Sequence, residues 1–204
     1  MNVNDFAETY LRESVEILHS LSVDAVEKIV TVMAEARRDG GRVFVLGVGG
    51  SAASGSHLVN DLRKLTGMEA YCPTDNVSEL TARTNDEGWE SVFSGWLRVS
   101  HLSNHDVIFV LSVGGGDAIR NISPNLVRAI DYAKEVRAKV VGIVGRDGGY
   151  TAKNADAVVL IPVVSPDRIT PHTESMHSLV GHMIVSHPSL KASGTKWESV
   201  SNKN

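Results

Sequence analysis

Four short runs decide what this chain can fold into: Val43–Leu46, Asp106–Ser112, Lys139–Val144 and Ala157–Ile161. Each is almost continuously apolar, without the polar alternation of a strand that has one face in water. They read as strands buried on both sides, the mark of a parallel sheet. The first three break directly into glycine: Gly47-Val48-Gly49-Gly50, Val113-Gly114-Gly115-Gly116, and Gly145-Arg146-Asp147-Gly148-Gly149. Between them lie stretches of helical period, so strand and helix alternate and the sheet is wound on both faces. Ligands of such sheets sit beyond the carboxyl ends of the strands, where the glycine loops are.

The remaining chain fills in around those runs. Residues 4–38 read as two helices, the first carrying Phe6, Tyr10, Leu11, Val15 and Leu18, the second capped by Ser22 with Val26, Ile29, Val30 and Met33 on one side. They cover either a partner subunit or the chain's own core. A short strand is expected over Met68–Cys72, closed by Pro73–Asn76. Helices are expected around Val77–Arg83, Trp89–Val99, Asn125–Arg137 and Thr173–Ser186, and the tail from Pro188 is expected to fray. No repeat or linker divides the chain, and 204 residues suffice for one core. A net charge of −4 lacks the basic balance of a nucleic-acid binder. One cysteine, Cys72, excludes an intrachain disulfide and fits a reducing cytoplasm. No run is long enough to span a membrane and no signal peptide is visible.

Chemistry concentrates at three places. Ser51 reads as the N-cap of a helix following Gly49 and Gly50, so strand, glycine turn and helix start form an anion site: the first helical N–H groups lack partners and the macrodipole favours negative charge. The same residues fit the dinucleotide pattern G-x-G-x-x-A, for which only Asp75 offers the acidic partner. The second loop, Ser112 with Gly114 and Gly115, can hold a phosphate as a backbone nest, with Ser123 a further donor; Asp117 would repel a phosphate if it pointed inward. Third, His57 and Asp61 stand four apart on one helix, and Glu174, His177 and His182 lie on the last. Imidazoles and carboxylates from two helices can form a four-ligand site (His57, Asp61, Glu174, His182) for a metal such as zinc. His172 can reach a site at the helix start, while His19, His101, His105 and His187 read as surface residues.

Taken together, these stretches resemble the sugar isomerase (SIS) domain family, and within it the phosphoheptose isomerases. The resemblance is carried by Gly47–Ala53 with His57 and Asp61, by Leu80-Thr81-Ala82 with Asn85, Asp86 and Gly88, by Ser112, by Ser123–Ile130, by Gly142–Gly149, and by Glu174 to His182. It implies an α/β fold: a three-layer, doubly wound, flavodoxin-like parallel sheet of about five strands, with an N-terminal helical extension over 1–40 and the SIS domain over 41–204. It also implies a homotetramer with sites between subunits, one zinc ion per subunit, and a sugar-phosphate substrate bound by Gly49, Gly50, Ser51, Asn85, Asp86, Ser112, Gly114, Gly115 and Ser123. The family usually has Glu at the position of Asp61 and Gln at that of Glu174, and its phosphate loop is richer in Ser and Thr. Extra residues precede Ser123 and Glu174.

The implied reaction converts sedoheptulose 7-phosphate to a glycero-manno-heptose 7-phosphate, or a close stereoisomer, through an enediol. Asp61 or Glu174 serves as one proton carrier and His182 as the other. Two rivals remain. One is a non-catalytic SIS protein that binds a sugar phosphate or a protein such as a replication initiator; the other is a nucleotide-dependent enzyme on the same loop.

Overall fold

The strands of the computed structural model, which describes residues 5–200, form one five-stranded parallel sheet. They are β1 (Val43–Leu46), β2 (Ala70–Tyr71), β3 (Val107–Ser112), β4 (Lys139–Gly145) and β5 (Ala157–Ile161), in the order β2-β1-β3-β4-β5. Register follows the apolar runs: Val43 pairs with Val107, Phe109 with Val141, and Ile143 with Val159. Every residue of β1 and β3 is buried, as continuous apolar runs require. This is the flavodoxin-like order, whose winding reverses between β1 and β3. Both major glycine loops therefore leave the sheet at its switch point.

Helices cover both faces. One layer holds α2 (Val23–Arg38), α3 (Gly50–Leu65) and α8 (Ile169–Ser186), with α1 (Phe6–Ser20) outside it; its core joins Ile29, Met33, Leu62 and Val180 to Val45, Phe109 and Ile143. The other layer holds α4 (Val77–Asp86), α5 (Val92–Val99), α6 (Pro124–Glu135) and α7 (Gly149–Asn154), packing Phe93, Leu97 and Ile130 on Phe44, Ile108 and Val140. Each such fully buried side chain contributes about 1.5–3 kcal/mol of transfer free energy. A short α9 (Lys196–Val200) follows. Among the described residues no helix is long and apolar enough to cross a membrane.

Four local expectations are corrected. Ser51 does not cap α3: Gly49, at φ +62, turns the chain so that the helix begins at Gly50 and Ser51 is buried within its first turn. The last helix begins at Ile169 rather than Thr173, because Pro171 falls in a first turn, where its missing N–H costs nothing. The tail from Pro188 is held, not frayed, as far as Ser193. Leu190 is fully buried, Arg37 donates to the carbonyls of Ser189 and Leu190, and Ala192 and Ser193 donate to Leu65. His187 is half-buried beside Glu27 rather than free on the surface.

The inner face of α1 is also divided more finely than its apolar pattern suggests. Ile17 is buried and Tyr10 and Glu13 face α8, whereas Leu11, Val15 and Leu18 form an exposed stripe. Ser22 caps α2 as expected, accepting from Ala25 N–H at 3.2 Å.

Candidate functional site

Helices α3 and α8 pack side by side and run in the same direction. Gly50 meets Glu174 near their starts, and Leu58 meets Gly181 two turns further on. That pairing brings His57, Asp61 and His182 to one point. The Nε2 atoms of His57 and His182 are 2.9 Å apart, and each lies 3.3 Å from Asp61 Oδ2. Asp61 is buried, and its other oxygen accepts from Asn60 Nδ2 at 3.0 Å. The two imidazoles are more than half exposed. The group is thus a buried carboxylate under two rings that open to solvent.

One donor atom from each of the three residues lies within 4.8 Å of the others. Two imidazoles and a carboxylate match the three-protein-ligand sets of catalytic zinc, which leave a position open. Glu174, expected as a fourth ligand, lies outside this group: its carboxylate fills the space a side chain on Gly50 would need. The carboxylate therefore stands beside the N-terminus of α3, at the first glycine turn. The chain's own negative charge occupies the mouth of the expected anion site, alongside Gly49 and Ser51.

The second loop is built differently. Ser112 Oγ accepts from Gly115 N–H at 3.0 Å, tightening the turn, and Gly115 and Gly116 hold φ of +70 and +82. Their carbonyls accept from the start of α7: Thr151 N–H and Oγ1 donate to Gly115, and Tyr150 N–H donates to Gly116. Gly114 faces open space. Asp117 turns away from the loop to accept from Ile119 and Arg120 N–H and to pair with the Arg120 guanidinium, interactions that hold its carboxyl below the usual range. Ser123, at φ +49, starts α6 beside Gly116 with its hydroxyl unused as a cap. Next to it Asn125 is fully buried, its Oδ1 accepting from Leu126 N–H and its Nδ2 without a partner. Sequence spacing gave no reason to single that amide out.

Three expectations resolve elsewhere. Asn85 and Asp86 pair with each other on the exposed end of α4. His172, expected to reach a site at the helix start, meets Glu13 of α1 at 2.9 Å. His177 is buried under the ends of β3 and β4 near Ser112 and Ile143; burial holds it neutral, with a pKa lowered to about 4.

Residues 9–145 match the model of the SIS domain. The chain is 33% identical over 170 residues to a phosphoheptose isomerase of Chlorobaculum parvum, covering 79% of this chain and 76% of that one. It is 34% identical over 184 residues to the lincomycin biosynthesis protein LmbN of Streptomyces lincolnensis, covering 85% of this chain but 65% of LmbN, just under two thirds. Among solved structures, phosphoheptose isomerase GmhA from Neisseria gonorrhoeae superposes with a TM-score of 0.77 at 27% identity, over 90% of this chain and 97% of that one.

Proposed function

The chain belongs to the SIS domain family, and on that footing we propose that it is an aldose–ketose isomerase. Its substrate is a heptose phosphate: sedoheptulose 7-phosphate is converted to glycero-manno-heptose 7-phosphate or a close stereoisomer. The observation that carries this reading is the convergence of His57, Asp61 and His182 on one point, in a chain several of whose relatives are named phosphoheptose isomerases. The reaction moves one proton from C1 to C2 and one between the two oxygens. It needs a base next to the carbon acid and a donor for the oxygen that gains charge. Asp61 takes and returns the carbon-bound proton, and His182, 3.3 Å away and open to solvent, serves the oxygens. His57, Asp61 and His182 would hold a zinc ion, whose chemistry when bound is to polarise the carbonyl as a Lewis acid.

Seven carbons and a phosphate, at about 1.5 Å per bond, extend over about 10 Å. That length is close to the two helical turns of α3 between the triad and the first glycine turn. The phosphate end goes to the second loop, with Ser112, Gly114, Gly115 and Ser123, because Glu174 stands at the first. Gly49, Gly50, Ser51 and Glu174 then face sugar hydroxyls, with Glu174 accepting from them. The exposed stripe on α1 (residues 1–40 being the oligomer segment) supports a homotetramer. A neighbouring subunit in such an assembly brings Asn85 and Asp86 to a shared site. The single buried thiol, Cys72, supports a cytoplasmic setting.

The test is metal content of the purified protein together with conversion of sedoheptulose 7-phosphate, with and without chelator. Near-stoichiometric zinc and chelator-sensitive turnover are expected. Absence of turnover in zinc-loaded protein sinks the isomerase reading and favours a sugar-phosphate-binding protein.

A further inference from the structure

A cluster on the far side of α8 from the glycine turn has no part in the chemistry above. Glu13 of α1 accepts from both ends of the Arg168 guanidinium, at 2.8 and 2.7 Å, and its Oε2 lies 2.9 Å from His172 Nε2. Tyr10 lies against the His172 ring, with centroids 4.3 Å apart. The three charged or titratable side chains are largely buried, His172 almost completely, and His172 Nδ1 has no partner.

This cluster sits where α8 is otherwise weakly anchored. Arg168 occupies the N-cap position without making a side-chain cap. Thr173 and Glu174 lie on the opposite side of the turn. Thr173 Oγ1 lies where a β-carbon on Gly145 would be, at the end of β4, and Glu174 fills the side-chain space of Gly50. Residues two apart on a helix point in opposite directions. His172 and Glu174 are therefore the two ends of one lever, with α1 holding the outer end.

We infer that Glu13 is a positioning residue: through Arg168 and His172 it sets the first turn of α8 and so holds the Glu174 carboxylate at the glycine turn. This rests on the isomerase reading for its effect on turnover, but not for its effect on the helix. The N-terminal helix is then part of the site's second layer of support, and an assembly seated on the outer face of α1 bears on substrate binding through the same lever.

The experiment is a double-mutant cycle on full-length, zinc-loaded protein. In Glu13→Gln the KM for sedoheptulose 7-phosphate rises about tenfold while kcat changes by less than about threefold and zinc content is unchanged. Glu174→Gln gives a similar rise, and the double variant shows no further loss, since coupled residues are non-additive. An unchanged KM in Glu13→Gln, or a full second loss in the double variant, overturns the inference. Amide exchange on ligand-free protein decides it without activity. In Glu13→Gln and in His172→Gln, exchange at 172–174 accelerates while 180–186 keeps its protection. Unchanged exchange at 172–174, or equal acceleration along all of α8, overturns it. A wild-type protein without turnover condemns the functional reading alone.

Discussion

Asp61 Oδ2 is the atom on which the triad converges, touching both imidazoles at 3.3 Å. Asp61→Asn keeps the shape and removes the charge, and His182→Ala removes a ring that is more than half exposed. Both variants should fold, lose bound metal, and turn over at least about tenfold more slowly; normal turnover in both would remove the site. Two other titratable residues make stability depend on pH. His177 stays neutral when folded down to a pKa of about 4, against 6.5 in the unfolded chain. The unfolded state binds the extra proton first, so stability present above pH 6.5 is lost as pH falls toward 4, by about 3 kcal/mol. Glu13, paired with Arg168 and His172, is lowered from 4.5 to about 2, so its contribution is whole above pH 4.5 and fades below it. Denaturant unfolding at a series of pH values should show both limbs. His177→Leu should flatten the upper one and leave the lower; an unaltered upper limb refutes the assignment.

At the scale of elements, the second glycine loop is locked to α7. Gly115 has φ +70, and a β-carbon there would collide with the Gly148 carbonyl. Gly115→Ala therefore carries the left-handed penalty of about 1–2 kcal/mol plus the displacement of α7. A midpoint shift equivalent to at least about 2 kcal/mol is expected in urea; a smaller one means the loop is loosely held. This docking was not legible in the sequence, where Gly114-Gly115-Gly116 read as a free nest, because the partner carbonyl lies in a loop more than thirty residues later. The strands β1, β3 and β4 were legible, since they are buried on both faces and their composition says so; β5 was legible as a strand, but at the sheet's edge it leaves Leu160 exposed, so its apolar run overstated its burial. His57 and Asp61 were legible as a pair from helical spacing alone. What spacing could not settle was the approach of the two helices. Glu174 and His182 lie on one side of α8, but Gly50 admits the first near the start of α3 while the second meets His57 two turns on. Ser51 looked like a cap for a related reason: helix onset is set by the φ of Gly49, a conformation that composition permits without specifying.

For the whole molecule, the decisive feature is how α1 is used on both sides. Its inner stripe, Tyr10, Glu13 and Ile17, is engaged with the body of the chain, so α1 does not depend on a partner for its place. Its outer stripe, Leu11, Val15 and Leu18, recurs at i, i+4 and i+7 and stays exposed, with Leu11 at 66% and Val15 at 51%. Scattered exposed apolar residues need no explanation, but a stripe along one helix marks a contact surface. Two charges placed on it cost the isolated fold little, because those side chains are exposed. Leu11→Glu with Val15→Glu should therefore leave circular dichroism and the unfolding midpoint nearly unchanged while light scattering, if the proposed tetramer forms through this stripe, reports a smaller species than the wild type. Turnover then tells the two arrangements apart. If Asn85 and Asp86 act on a neighbour's substrate, dissociation abolishes activity although His57, Asp61 and His182 still bind metal. Full activity in the dissociated form makes each subunit's site self-contained, and a wild-type monomer at working concentration removes the shared site altogether.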